Sequence, residues 1–422
     1  MKAFLQHRIT KNVGALAILQ VFMYAAPLVI LVYMTRILTP YEYGVLAFSV
    51  GIIQFSNSLL DFGLTQSATP RISIHRHRPQ MVSRILGSAF ALKLAGNVVI
   101  GVAIAIYALT TVKYERYSHV LLCTLLPILG HSLQPVWLFQ GIERMSVITK
   151  YVAASKIIHV ALIVLIVRSG TDLVYVVLAE GMASLVGATL ALRSMAAYGY
   201  KVVVPTRRDL RYVLKFTTPF IISRFAITTY TSGAVGFIGL LASPPTTATY
   251  AIGERMYQAL QQCFYPVVQA AYPYMAKERN VRLLVQIGGA MLVGAALLSG
   301  VLYFFSAEVI GLLFGPQWSA SVPVLHVFLI AIVAYVLNLF SGFPMSAALG
   351  TLATANNSLV GGAVVYLAAV AFLWLTGSTG AVHFACALLA AEMYVLFHRA
   401  CVNWPKLPGY MASNAGNVCL WR

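Results

Sequence analysis

Lys93, Arg224, Arg255, Asp61 and Glu254 lie inside stretches of the chain that are otherwise apolar. In hydrocarbon an unpaired charge costs several kcal/mol, so each of them needs a counter-charge, a set of hydrogen-bonding groups or water. Amides and hydroxyls accompany them at helical spacing. Gln54, Asn57, Ser58 and Asp61 fall within about 100° of one another on a helical wheel, while Ser49 and Ser56 fall off that stripe. Thr217, Arg224, Thr228 and Thr231 share a second face about 60° wide. On a third, Tyr250, Glu254, Arg255, Tyr257, Gln258, Gln261, Gln262, Tyr265 and Gln269 fit within about 160°. Guanidinium and ammonium groups hold phosphate oxygens by charge-assisted hydrogen bonds. Amides and phenols add the hydrogen bonds and flat apolar surface that sugars require. The chemistry on offer is therefore binding, not bond-breaking. No Ser/His/Asp set, paired carboxylates or Gly-rich phosphate loop with its Lys occurs, and an enzyme is not expected.

Depth ranks the cations. Lys93 lies about 9 residues and Arg224 about 11 residues into their segments, which at 1.5 Å per residue brings both near the bilayer middle. Lys156 and Lys215 lie close to segment ends, where they can snorkel to the headgroups. The candidate substrate-binding residues are Arg224, Lys93, Arg255, Gln258, Gln261, Gln262, Gln54, Asn57 and Thr228, and the candidate gating or coupling residues are Asp61 and Glu254. The competing reading is structural, with small polar residues joining helix to helix and Glu180 or Glu254 neutralising Arg224. His131, Gln134 and Trp137 lie along one side of a further segment, where core packing competes with substrate contact.

The elements that position these residues follow from composition. The 422 residues are 60% hydrophobic and 9% charged, against about a quarter charged in soluble domains, so the chain is a polytopic membrane protein. About 20 apolar residues make a span. Twelve such runs occur, at roughly 13–35, 43–66, 84–110, 118–140, 150–168, 173–194, 213–240, 248–274, 283–306, 322–348, 358–376 and 380–399. The expected architecture is all-α, with two six-helix bundles around a central cavity. Residues 1–205 form the N-terminal bundle with its connecting basic loop, and 206–422 the C-terminal bundle with a short cytoplasmic tail. Because each half holds an even number of spans, the halves run parallel.

The net charge of +18 suggests nucleic acid only until it is mapped on the loops. With a cytoplasmic N-terminus, the inside holds Lys2, Arg8 and Lys11, then Arg71, Arg76, Arg78 and Arg84, then Arg144 and Lys150. Arg193, Lys201, Arg207, Arg208 and Arg211 follow, then Lys277, Arg279 and Arg282, and finally Arg399, Lys406 and Arg422. The outside holds only Arg36, Lys113, Arg116 and Arg168. This asymmetry places both termini in the cytoplasm and absorbs most of the positive charge, so nucleic acid is not an expected partner. Cys123, Cys263, Cys386, Cys401 and Cys419 show no metal-ligand or CxxC spacing, so neither a metal nor a cofactor is expected. The first apolar run has no small-residue cleavage site and reads as a retained helix.

Several stretches resemble a known family. Thr35-Arg36-Ile37-Leu38-Thr39-Pro40-Tyr41-Glu42-Tyr43-Gly44, followed by Asp61-Phe62-Gly63-Leu64, is similar to the first-helix exit and second-helix end of the polysaccharide (O-antigen) flippases of the multidrug/oligosaccharidyl-lipid/polysaccharide superfamily. Pro135-Val136-Trp137-Leu138-Phe139-Gln140-Gly141-Ile142-Glu143-Arg144-Met145 resembles the family's fourth-helix end, and Tyr250-Ala251-Ile252-Gly253-Glu254-Arg255 its eighth-helix start. The Phe314-Gly315 turn before Trp318 fits as well. Thr39-Pro40 departs from the family, which more often has Leu-Gly or Gly-Pro there. The resemblance implies an inner-membrane protein that moves undecaprenyl-diphosphate-linked oligosaccharide from the cytoplasmic to the periplasmic leaflet, with membrane lipids and other polysaccharide-assembly proteins as partners. The alternatives are a cation-coupled small-molecule or drug exporter of the same superfamily and, less favoured because the outside loops are all short, a polysaccharide polymerase.

Overall fold

The computed structural model describes residues 27–231, 233–278 and 281–406, and these residues form helices and turns with no strand. Thr39 shows how the sequence punctuates them. After α1 (Pro27–Ile37), the Thr39 backbone N–H and hydroxyl both donate to Glu42 Oε2, at 2.9 and 2.8 Å, while the Glu42 N–H donates back to the Thr39 hydroxyl at 3.4 Å. This capping box starts α2 (Pro40–Leu60), with Pro40 in the first turn, where its missing N–H costs nothing. Asp61 closes α2, and Phe62 and Gly63 follow at φ 48° and 67°, a left-handed turn into α3 (Leu64–His75). A Cβ on Gly63 would lie 2.5 Å from Cβ of Phe220, so the turn needs glycine for space as well as for φ.

The remaining helices are α4 (Pro79–Thr110), α5 (Ser118–Cys123), α6 (Leu125–Ser132), α7 (Val136–Gly141), α8 (Met145–Ile166), α9 (Leu173–Ala197), α10 (Arg207–Tyr230) and α11 (Ala234–Leu241). They continue with α12 (Pro244–Glu278), α13 (Val281–Phe304), α14 (Ser306–Leu313), α15 (Val322–Ser341), α16 (Phe343–Leu349), α17 (Leu352–Leu375) and α18 (Ala381–Asn403). Among the described residues, 9 helical stretches are long and apolar enough to cross a membrane. Three of the twelve expected spans fall outside that set. The run 13–35 lies mostly outside the described residues. The run 213–240 is interrupted between α10 and α11, where the Gly233 N–H donates to the Thr228 carbonyl at 2.8 Å. The run 248–274 lies inside α12, a 35-residue helix whose many polar side chains lower its hydropathy.

The chain packs as two compact units, Met1–Thr228 with Ser232–Gly239, and Thr229–Thr231 with Leu240–Arg422. Packing thus groups α10 and α11 largely with the helices before them, whereas the division at 205/206 counts spans. In the first unit, loops that the charge asymmetry puts on one side come together. Arg76 pairs with Glu143 at 3.4 Å, the Tyr200 hydroxyl donates to the Arg76 carbonyl, and the Lys201 N–H donates to Ser83 Oγ. Arg144 stacks over Tyr198, 5.3 Å from the ring centroid. The loops expected on the other side meet likewise. Tyr33 donates to the Val167 carbonyl, Tyr41 to that of Lys113, and Lys113 and Tyr114 both to that of Gly239. Beneath the basic end lies a core of Leu64, Ile72, Ile85, Phe90, Trp137, Phe139, Tyr151 and Phe216.

In the second unit α12 packs on α15, with Tyr257 stacked on Phe328 at 5.0 Å and Gly253 admitting Val324. At φ 111°, Gly315 turns the chain out of α14 beside the buried Phe314 and Trp318.

Candidate functional site

Lys93 lies on α4 and is only 5% exposed. Asp61, the C-cap of α2, is the counter-charge that acts on it. No direct ion pair joins the two among the described residues, and the Asp61 carboxylate accepts from the Thr65 hydroxyl at 2.9 Å. Beside them Asn97 donates to the Lys93 carbonyl at 2.8 Å and to Ser132 Oγ at 2.9 Å. On α2, Gln54, Asn57 and Ser58 are half-buried, and the buried Asn57 Oδ1 accepts no hydrogen bond among the described residues. Ser49 and Ser56, off the stripe, are fully buried. The second-span stripe is thus a partly open polar strip next to a buried ammonium.

On α10, Arg224 is half-buried and its Nε has no partner among the described residues. Its threonine neighbours differ from one another. Thr217 and Thr228 are buried, and the Thr217 hydroxyl is satisfied by the Val213 carbonyl at 3.0 Å. Thr231 is exposed. Glu180 does not serve Arg224, since its carboxylate lies 3.6 Å from His131 Nε2, with His159 and Lys156 also acting on it. This half-buried cluster on α6, α8 and α9 is one that sequence reading only partly caught. His131, Lys156 and Glu180 stand out in the sequence, whereas His159, one helical turn beyond Lys156, has no charged neighbour at helical spacing other than that lysine and carries no signal of its own.

The third face splits. Tyr250, Glu254 and Tyr257 turn inward, with Glu254 4% exposed. Arg255, Gln258, Gln261 and Gln262 are half-buried, and Arg255 Nη1 donates to Gln258 Oε1 at 3.0 Å. Tyr265 is exposed, and the side chain of Gln269 lies outside the described residues. The half-buried part presents one guanidinium flanked by three amides, a set suited to phosphate and hydroxyl groups.

Arg399 differs from its expected place in a cytoplasmic loop. It is on α18, 3% exposed, donating to Ser358 Oγ at 2.8 Å, to the Asn338 carbonyl at 2.6 Å and to the Ala355 carbonyl at 3.3 Å. Asn338 in turn donates to Glu392 Oε2 at 2.7 Å. A basic residue near the end of an apolar run reads as a loop charge, and its acceptors, far along the chain, leave no local signal.

The model of a family described as "Polysaccharide biosynthesis protein" matches residues 9–279. The chain belongs to that family. Its relatives include a protein named "Putative O-antigen transporter" from Escherichia coli (strain K12), 24% identical over 307 residues covering 68% of this chain and 74% of the relative. A protein of the same name from Shigella dysenteriae is 23% identical over 268 residues, 63% of this chain and 67% of the relative. The fold is that of the multidrug/oligosaccharidyl-lipid/polysaccharide (MOP) superfamily. An inward-facing multidrug resistance MATE family transporter aligns with TM-score 0.67 at 13% identity, over 95% of this chain and 99% of that one. The lipid II flippase MurJ in an inward closed conformation aligns with TM-score 0.65 at 12% identity, over 93% and 91%. The chain is a multi-pass membrane protein with relatives named as transporters, and the stretches that carried the resemblance are fold-forming: a capping box at Thr39, a left-handed turn at Phe62-Gly63, the buried Trp137 and the close approach at Gly253.

Proposed function

We propose that the chain is a flippase that carries undecaprenyl-diphosphate-linked oligosaccharide repeat units from the cytoplasmic to the periplasmic leaflet of the inner membrane by alternating access, with both termini cytoplasmic. The family match over residues 9–279 carries this reading. The interior chemistry supports it: a lipid-linked glycan must take a diphosphate and several sugars across about 30 Å of hydrocarbon while its tail stays in lipid. Lys93, Arg224 and Arg255 are the groups proposed for the diphosphate. Gln54, Asn57, Gln258, Gln261, Gln262 and Thr228 are proposed for sugar hydroxyls, with Asp61 and Glu254 setting the charge balance as the head passes. The division into six spans on each side of the basic loop at 195–212 gives this cycle its two halves.

The test removes the protein from its host and asks which leaflet holds the undecaprenyl-linked glycan, using an impermeant sugar-reactive label. Single repeat units stranded on the cytoplasmic side, with loss of surface polysaccharide, are the expected result. Unpolymerised units on the periplasmic side would indicate a polymerase instead, and no accumulation would point to a small-molecule exporter. Arg224→Ala should reduce export by at least about tenfold, the order of one charge-assisted contact, while membrane insertion stays normal. Normal surface glycan in the inserted variant would remove Arg224 from the mechanism.

A further inference from the structure

At its basic end the first unit contains a cavity of about 760 Å³ between the first turns of α4 and of α10. Arg78 and Arg84 line it, both exposed, and neither is in a direct ion pair among the described residues. One acid, Asp209, lines the opposite side. Its Oδ2 already accepts from the Thr206 N–H at 3.0 Å and the Thr206 hydroxyl at 2.7 Å, as the cap of α10, so it offsets only part of the positive field. The rest of the wall is Pro79, the exposed amide Gln80, Met81 and Ile85 from α4, and Tyr212 and Val213 from α10, with Ile85 and Val213 almost fully buried, so its open apolar part is Pro79, Met81 and Tyr212. The Tyr212 ring meets Phe216 edge-on at 5.4 Å, and Arg71 stacks on the other partner of that pair, 4.2 Å above the Phe216 centroid. Phe216 is itself buried and covered by Arg71, so Tyr212 is the aromatic face that the cavity presents.

Arg84 acts on Asp209 only at longer range. Two guanidiniums outside any direct ion pair among the described residues, beside a partly apolar wall, select for a ligand that is anionic at one end and apolar at the other. A free anion uses only the first feature, and an alkyl chain only the second. We propose that this cavity binds a lipid-anchored phosphate, with Arg78 and Arg84 on the phosphate oxygens and Pro79, Met81 and Tyr212 against the first carbons of the chain. Planar guanidiniums take phosphate oxygens in pairs, and clustered basic residues at a bilayer face meet anionic headgroups there. The inference concerns a surface site and does not depend on what the protein transports.

The purified full chain in neutral detergent is titrated with phosphatidylglycerol, with a long-chain prenyl diphosphate, and with inorganic diphosphate, and bound ligand is counted by native mass spectrometry. The wild-type chain should retain one or both phospholipid ligands, and the stronger arm identifies the source. Arg78→Ala/Arg84→Ala should weaken retention by about tenfold or more, as should Arg78→Gln/Arg84→Gln, which keeps side-chain length. Arg207→Ala/Arg208→Ala, which removes equal charge from the same end without touching the cavity wall, should retain lipid as the wild type does. Equal losses in the two alanine pairs would overturn the proposal in favour of diffuse surface charge. Inorganic diphosphate binding as tightly as either lipid would overturn it too, because the apolar wall would then contribute nothing.

Discussion

Arg399 and Lys93 are both buried cations, one in each unit, and their surroundings divide structure from function. Three hydrogen bonds to oxygen acceptors hold Arg399 on α18, and Glu392 adds a negative charge within the same network through Asn338. Nothing is left for a ligand to do. Lys93 has a counter-charge in Asp61 without a direct ion pair, and a neighbouring strip of half-buried amides. A buried charge with all its partners in the protein fixes packing, whereas one whose partner stands off leaves room for a polar guest.

The contrast can be broken at either end. Arg399→Ala should destabilise most, by about 3–5 kcal/mol, because Ser358 Oγ and the carbonyls of Asn338 and Ala355 lose their donor in a buried site and Glu392 loses a nearby positive charge. The check is the melting temperature of the detergent-solubilised chain, and a fully stable variant would put Arg399 in the same class as Lys93. Thr39→Ala, distant from both cations, calibrates the scale: removing one capping box should cost about 1 kcal/mol by the same assay. Lys93→Met should leave melting nearly unchanged, since an apolar side chain of similar length replaces an incompletely paired charge, yet cut glycan export at least about tenfold. A drop in melting as large as that of Arg399→Ala would erase the distinction. The smallest effect is expected at Asp209, outside the spans, whose carboxylate is held below its usual value by the Thr206 hydroxyl and N–H. With the folded value the lower one, its contribution is complete above pH 3.8, the ordinary value, and is lost as pH falls through the depressed one. The group is exposed and screened, so the melting difference between wild type and Asp209→Asn should be small and flat from about pH 7 to 5, narrowing only below that.

Local features were legible in the sequence and distant ones were not. Thr39-Pro40-Tyr41-Glu42 reads as a helix start because every partner in the capping box lies within three residues. The second-span stripe was legible for the same reason, since Gln54, Asn57 and Asp61 are fixed relative to one another by the helix itself. The wheel on α12 held Tyr250 and Tyr257 together with Gln258 because a helical sector carries no information about which neighbour covers it. Only the packing of α15, with Phe328 against both tyrosines, separates the buried part from the half-buried amides. Glu180 was offered to Arg224 and turned out to belong to His131, a choice that depends on how α6 and α9 meet. Arg399 failed hardest, its loop-like position concealing acceptors on two other helices.

The joined loops at the basic end also bear on how the protein is made. Residues 76–83 leave the ribosome first, residues 143–144 next, and residues 198–201 last, and each later group docks on an earlier one through Arg76–Glu143, Arg144–Tyr198, Tyr200–Arg76 or Lys201–Ser83. Each newly delivered pair of helices therefore brings with it a loop that fits onto those already made. Reversing the orientation of any one pair would cost its loop these partners as well as its charge placement.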